Sequence, residues 1–127
     1  MKRKPKSERK KLIVECKLLW SKLVKIRDKN ECRVCGSDAG LQSHHIFADR
    51  MHSTTRYMVS NGIALCFQHH YPRGHSDPCV MRENIVKAIG QEHYDMLERH
   101  SVGSQKYSVH DLTEIRNQFL AMLSKGG

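Results

Sequence analysis

A chain of 127 residues with 22 Lys and Arg against 13 Asp and Glu carries a formal charge of +9. That is one domain's worth of polypeptide, and its charge makes an acidic polymer, nucleic acid, the expected partner. Five Cys without a secretory signal or an apolar run of membrane-spanning length argue against a disulfide framework, a membrane protein and an oxidising compartment.

Lys2, Arg3, Lys4, Lys6, Arg9, Lys10 and Lys11, broken by Pro5, compose a basic arm over residues 1–11, expected to be flexible and to touch phosphate. Leu12, Cys16, Leu19, Trp20 and Leu23 fall on one helical face, flanked by Ile13, Val24 and Ile26. They predict a helix from about Ser7 to Arg27 whose stripe is core. Cys32 to Gly40 reads as a tight knuckle with Gly36 and Gly40 in its turns, and Leu41 to Ile46 as a short strand. Ala48 to Ser60 is polar and basic enough for a surface loop. Gly62 to Cys66 is a second apolar run able to pair back as a hairpin, with a short helix after Cys66 carrying His69 and His70.

Ser76-Asp77-Pro78 has the form of a helix start, with Asp77 as cap, leading through Val80, Ile85, Val86 and Ile89 to Gly90. A helix from Gln91 to His100 follows. Ser108 and Asp111 have capping-box spacing before Leu112, Ile115, Phe119, Met122 and Leu123, a stripe that stops near Gly126-Gly127. The expected class is α+β, one domain over 12–127. Within it, 12–30 is the N-terminal helix, 31–76 the knuckle and strands, and 77–127 the C-terminal helices.

Cys32-x-x-Cys35 and Cys66-x-x-His69 offer three thiolates and an imidazole, a set suited to tetrahedral zinc because a two-residue gap lets a turn aim both side chains at one ion. Buried apolar cysteines would not require two pairs of matching gap. A redox dithiol at Cys32 and Cys35 would leave Cys66 and His69 unexplained. Cys16 falls on the helical stripe, as core, and Cys79 near a helix start is the more reactive thiol.

The adjacent pair His44-His45, then Asn61, then His70 and His75, supplies imidazoles able to divide the work of metal ligand and general base. Together, Cys32-Arg33-Val34-Cys35-Gly36, Leu41-Gln42-Ser43-His44-His45-Ile46-Phe47, Asn61-Gly62-Ile63-Ala64-Leu65-Cys66 and His69-His70 resemble an HNH endonuclease of the ββα-metal group. The likeness spans Glu31 to His75 and is to the zinc-knuckle variant common in phages and prophages. It implies a small ββα-metal core, flanked by helices, that hydrolyses DNA phosphodiesters to 5′-phosphate and 3′-hydroxyl ends.

By that resemblance His44 is a metal ligand, His45 the base that activates water, Asn61 the amide that orients His45 by bonding backbone around the loop, and His70 and His75 the later ligands. The His70–His75 spacing of five, interrupted by Pro72 and Gly74, departs from the one-turn spacing of a regular helix. Arg50 and Arg56, between the motif halves, are candidates to hold a phosphate oxygen, with Arg50 the better placed. His52, His93, His100 and His110 have no motif support.

The implied cofactors are a structural Zn2+ and a divalent catalytic ion, for which zinc, nickel, cobalt and manganese suit imidazole better than magnesium. The implied setting is the cytoplasm of a bacterial host, as a monomer or homodimer, with a phage packaging, replication or recombination partner open. The alternative is a zinc-stabilised nucleic-acid-binding module without catalysis. A third, a basic scaffold with zinc as its only ion, leaves more residues without a use.

Overall fold

The side chain of Ser7 accepts a hydrogen bond from the Lys10 N–H and starts the first helix, α1 (Glu8–Arg27), in the computed structural model, which describes residues 7–70 and 78–125. Glu8 in its first turn and Lys25 and Arg27 in its last match the helix dipole. Lys29 and Asn30 then take left-handed conformations, φ 58° and 56°, which end it. Residues 8–11, which composition groups with the basic arm, form the first turn of α1. Lys2, Arg3, Lys4 and Lys6 lie outside the described residues. The buried face is Leu12, Cys16, Trp20, Leu23 and Val24, with Ile13 and Leu19 half-buried.

The knuckle turns on backbone bonds from Gly36 N–H to Cys32 O and from Cys32 N–H to Ser37 O, with Gly36 at φ 82°. Strands β1 (Gln42–His45) and β2 (Gly62–Leu65) pair antiparallel, with His44 opposite Ile63 and His45 opposite Gly62. Every residue of β2 is buried, because both its faces are covered. Gly62 backs onto α1 so closely that a Cβ there would strike Val24 Cγ2 and lie 2.8 Å from Trp20 Cζ2. Ile63 and Leu65 face the opposite way.

The helices α2 (Pro78–Ile89), α3 (Gln91–His100) and α4 (Val109–Ser124) complete the described chain, which is a mixed α+β fold of four helices and a two-stranded sheet. Both bonds of the predicted capping box form: Asp111 N–H donates to Ser108 Oγ, and Ser108 N–H to the Asp111 carboxylate. No helix among the described residues is long and apolar enough to cross a membrane.

Two hydrophobic clusters lie either side of β2. One joins α1 to α4 through Leu12, Cys16, Trp20, Leu112 and Phe119, and takes in Tyr57 and Tyr107. Arg9 bonds Tyr107 O, Cys16 bonds Leu112 O and Arg116 pairs with Glu15, so α1 and α4 run in the same direction. The other holds Cys32, Ile63, Leu65, Cys66 and Ile85, with Val34, Ile46, Met81, Ala88 and Tyr94 packed against it.

Asp28 connects the two. Its buried carboxylate takes both Arg27 and Arg33 and accepts the Ala64 N–H, while Arg27 also reaches Val59 O and Gly62 O.

Four expectations change. The residues after Cys66 form no helix as far as His70: they make a turn, with the His69 and His70 N–H groups both directed at Cys66 O. Ala48–Ser60 is not a plain surface loop, since Thr55 and Tyr57 are buried and it contains 3-10 turns at Ser53–Thr55 and Val59–Asn61. Its polar composition is used inward, on backbone hydrogen bonds. Val80 and Met122 are exposed, because α2 buries Met81 and Ile85 instead and α4 turns Leu112 and Phe119 inward.

Candidate metal centre and histidine site

The knuckle and the end of β2 bring Cys32, Cys35, Cys66 and His69 together, with their ligand atoms all within 4.8 Å of one another. Cys35 Sγ lies 3.6 Å from Cys66 Sγ, and His69 Nδ1 lies 3.3 Å from Cys66 Sγ and 3.9 Å from Cys32 Sγ. Ligands about 2.3 Å from a tetrahedral ion sit roughly 3.8 Å apart, so the set fits zinc or another metal of similar preference.

The electrostatics agree. Burial disfavours the Cys32 thiolate, but the N–H groups of Cys66, Cys35 and Val34 outweigh it and bring the thiol below its ordinary range. At Cys35 a bond from Ser37 favours the thiolate, yet burial and the sulfurs of Cys66 and Cys32 push the thiol up. Crowded sulfurs of this kind call for a cation.

The backbone bond from Arg33 N–H to Ala64 O ties the knuckle to β2, and Phe67 N–H to Ala39 O closes its far side. His70 follows the cluster in the same turn. Its ring meets that of His44 edge to face, centroids 5.3 Å apart at 85°.

Strand alternation sends His44 and His45 to opposite faces of β1. Ser43, on the α1 side, donates to Ser21 O, and His45 stacks flat on Trp20, centroids 3.8 Å apart and planes 6° apart. His44 faces α2 and α3. Burial, with the charges of His70 and His45 nearby, pulls its pKa down to about 4, so at neutral pH it is an uncharged imidazole. His70 is also pushed down by burial.

His45 Nε2 lies 3.0 Å from Arg56 O. A carbonyl can only accept, so Nε2 carries the hydrogen and Nδ1 the lone pair. Burial lowers the His45 pKa more than the Arg56 carbonyl bond and the Asp49 carboxylate raise it, while Lys17 and Arg56 add to the lowering. Lys17 and Asp49 pair at 3.1 Å.

Asn61 is fully buried. Its Nδ2 donates to Phe47 O and Thr55 O, and its Oδ1 accepts the Phe47 N–H, so one amide fixes the backbone on both sides of the intervening loop. Arg56 spends Nε and Nη2 on the Asp49 carbonyl and lies beside Tyr107. Arg50 is exposed and makes no hydrogen bond or ion pair with another described residue.

His75 lies outside the described residues, as does Asp77. His52 bonds Ser101 O, His93 bonds Ser60 O, His100 bonds Met96 O and His110 pairs with Glu114, so each is engaged in helix or loop contacts. Two parts of the site had no sequence signal: Trp20, which looks like any core residue of its stripe, and the Arg56 carbonyl.

Comparison of the chain with protein-family models, with curated proteins and with solved structures finds no match.

Proposed function

We propose that this protein is a metal-dependent DNA endonuclease of the HNH type, with Cys32, Cys35, Cys66 and His69 holding a structural zinc. One observation carries the proposal. His44 from β1 and His70 from the turn after Cys66 meet at 5.3 Å, and the adjacent His45 has its ring plane and tautomer fixed. Two imidazoles sharing one ion at about 2.1 Å place their ring centroids about 5 Å apart, which supports the pair as ligands.

His44 and His70, with His75 as third candidate, would hold a divalent ion that supplies positive charge to a phosphate oxygen and to the leaving 3′ oxygen. The chain's own groups do the rest. His45 takes the proton of an in-line water at Nδ1, since Nε2–H is committed to Arg56 O. Trp20 beneath the ring keeps Nδ1 from swinging away, and Asn61 holds the Phe47 backbone that follows the histidine pair. The net charge of +9 supports a nucleic-acid substrate.

Incubating supercoiled plasmid with the protein and manganese or magnesium, beside His45→Ala, tests this. The wild type should give nicked or linear product and His45→Ala none. Equal cleavage by both would remove His45 from its role. Cleavage by neither, with salt-sensitive DNA binding retained, would mark the protein as a zinc-stabilised binding module.

A further inference from the structure

On the His44 side, β1 faces a small cavity of ≈ 130 Å³ whose wall includes His44, Met81, Arg82, Ile85 and Tyr94. Arg82, in the second turn of α2, is the cation on that wall. Its guanidinium lies 5.1 Å from the centroid of the Tyr94 ring, and Tyr94 in turn packs on the second cluster and against Phe47, 5.2 Å between centroids. An aromatic face fixes the plane of a guanidinium without neutralising it.

Apart from the exposed loop residue Arg50, which does not line this cavity, other arginines around the site are committed elsewhere. Arg27 and Arg33 pair with Asp28, and Arg56 is turned to the Asp49 carbonyl. Arg82 forms no ion pair with another described residue. A guanidinium held on an aromatic face, with no ion pair among the described residues and beside a half-buried histidine, favours an anion in the space between them.

We infer that Arg82 holds a phosphate oxygen of the nucleic-acid strand beside His44, an assignment that rests on the endonuclease proposal above. The fork geometry of arginine suits two oxygens of one phosphate, which a lysine would meet only as a point charge. Only the packing of α2 against Tyr94 brings this residue to the site. Loop position alone had favoured Arg50.

The test uses the zinc-loaded full chain and a fluorescein-labelled duplex. Anisotropy binding over a salt series, without added second metal, is followed by cleavage with manganese. Arg82→Ala should weaken binding about tenfold and lower the log–log salt slope by about 0.9, the signature of one lost phosphate contact. Arg82→Lys should keep the slope and lose part of the affinity.

Because Arg82 is exposed, both variants should melt with the wild type. Wild-type constants for Arg82→Ala, in a preparation whose wild type cleaves, would overturn the Arg82 assignment and leave the endonuclease proposal standing. Loss of the slope increment in Arg50→Ala and not in Arg82→Ala would overturn it by moving the contact to the loop. A wild type that cleaves nothing would overturn both.

Discussion

His45 is confined by three contacts that differ in kind: a ring stack below, a carbonyl at Nε2 and the backbone pairing of its own strand. Each removes a freedom that the general base proposed here must not have. The pH dependence follows. Burial outweighs the Arg56 carbonyl and holds the His45 pKa below its ordinary value of about 6.5. Above the folded pKa the ring is neutral and accepts a proton; below it the ring is charged and cannot. On the proposed role of His45, cleavage should therefore fall in acid with an apparent pKa below about 6.5. The pH profile of kcat should show that limb, and raising manganese tenfold should leave it in place. A limb that moves with metal would assign it to proton competition for His44 and His70.

At the scale of elements, β2 is the hinge of the architecture because it has helices on one face and the knuckle's cluster on the other. A strand so placed cannot tolerate a side chain where α1 crosses it. Gly62→Ala sets a methyl against Val24 and Trp20, atoms held by helix backbone and core packing. Overpacking of this kind costs about 2–3 kcal/mol. The same residue pairs with His45 across the sheet, so the strain should reach the proposed catalytic histidine as well. Urea denaturation of the zinc-loaded variant measures the first effect, and plasmid cleavage well below its melting temperature the second. An unchanged midpoint would show that α1 and β2 can separate at no cost.

Across the described residues, the cluster around Cys32 and Cys66 and the α1–α4 cluster are separate cores joined by β2 and by Asp28. Against burial, the guanidiniums of Arg27 and Arg33 and the Ala64 N–H hold the Asp28 carboxyl below its usual range, so the junction is charged at neutral pH. Binding of the proposed zinc to the Cys and His ligands would be coupled to folding, and the junction should pass that coupling to the helices. Chelator strong enough to remove the zinc should abolish the α1–α4 packing too. Trp20 fluorescence, reporting the distant cluster, should then change together with helical circular dichroism in one transition. Native Trp20 emission after confirmed zinc loss would show two independently stable halves.

Local rules were enough for much of this. The stripe from Leu12 to Leu23, the Ser108–Asp111 capping box, the end of α1 near Arg27 and the gaps within Cys32–Cys35 and Cys66–His69 are all patterns a few residues long, and short-range geometry governs them. The same rules failed after Cys66, where the described residues close only a turn on Cys66 O, since the contacts that set Cys66 and His69 beside Cys32 and Cys35 join segments far apart in the chain. By itself, then, the sequence determined the four long helices, the mixed class of the fold and the composition of the candidate metal cluster. Only the tertiary structure decided that His44 faces His70 while His45 faces Trp20, that Asp28 joins two cores, and that Arg82 stands in the His44 cavity. Those facts depend on strand pairing and helix docking between residues far apart in the chain, and no local pattern encodes which distant ring or guanidinium arrives at a given face.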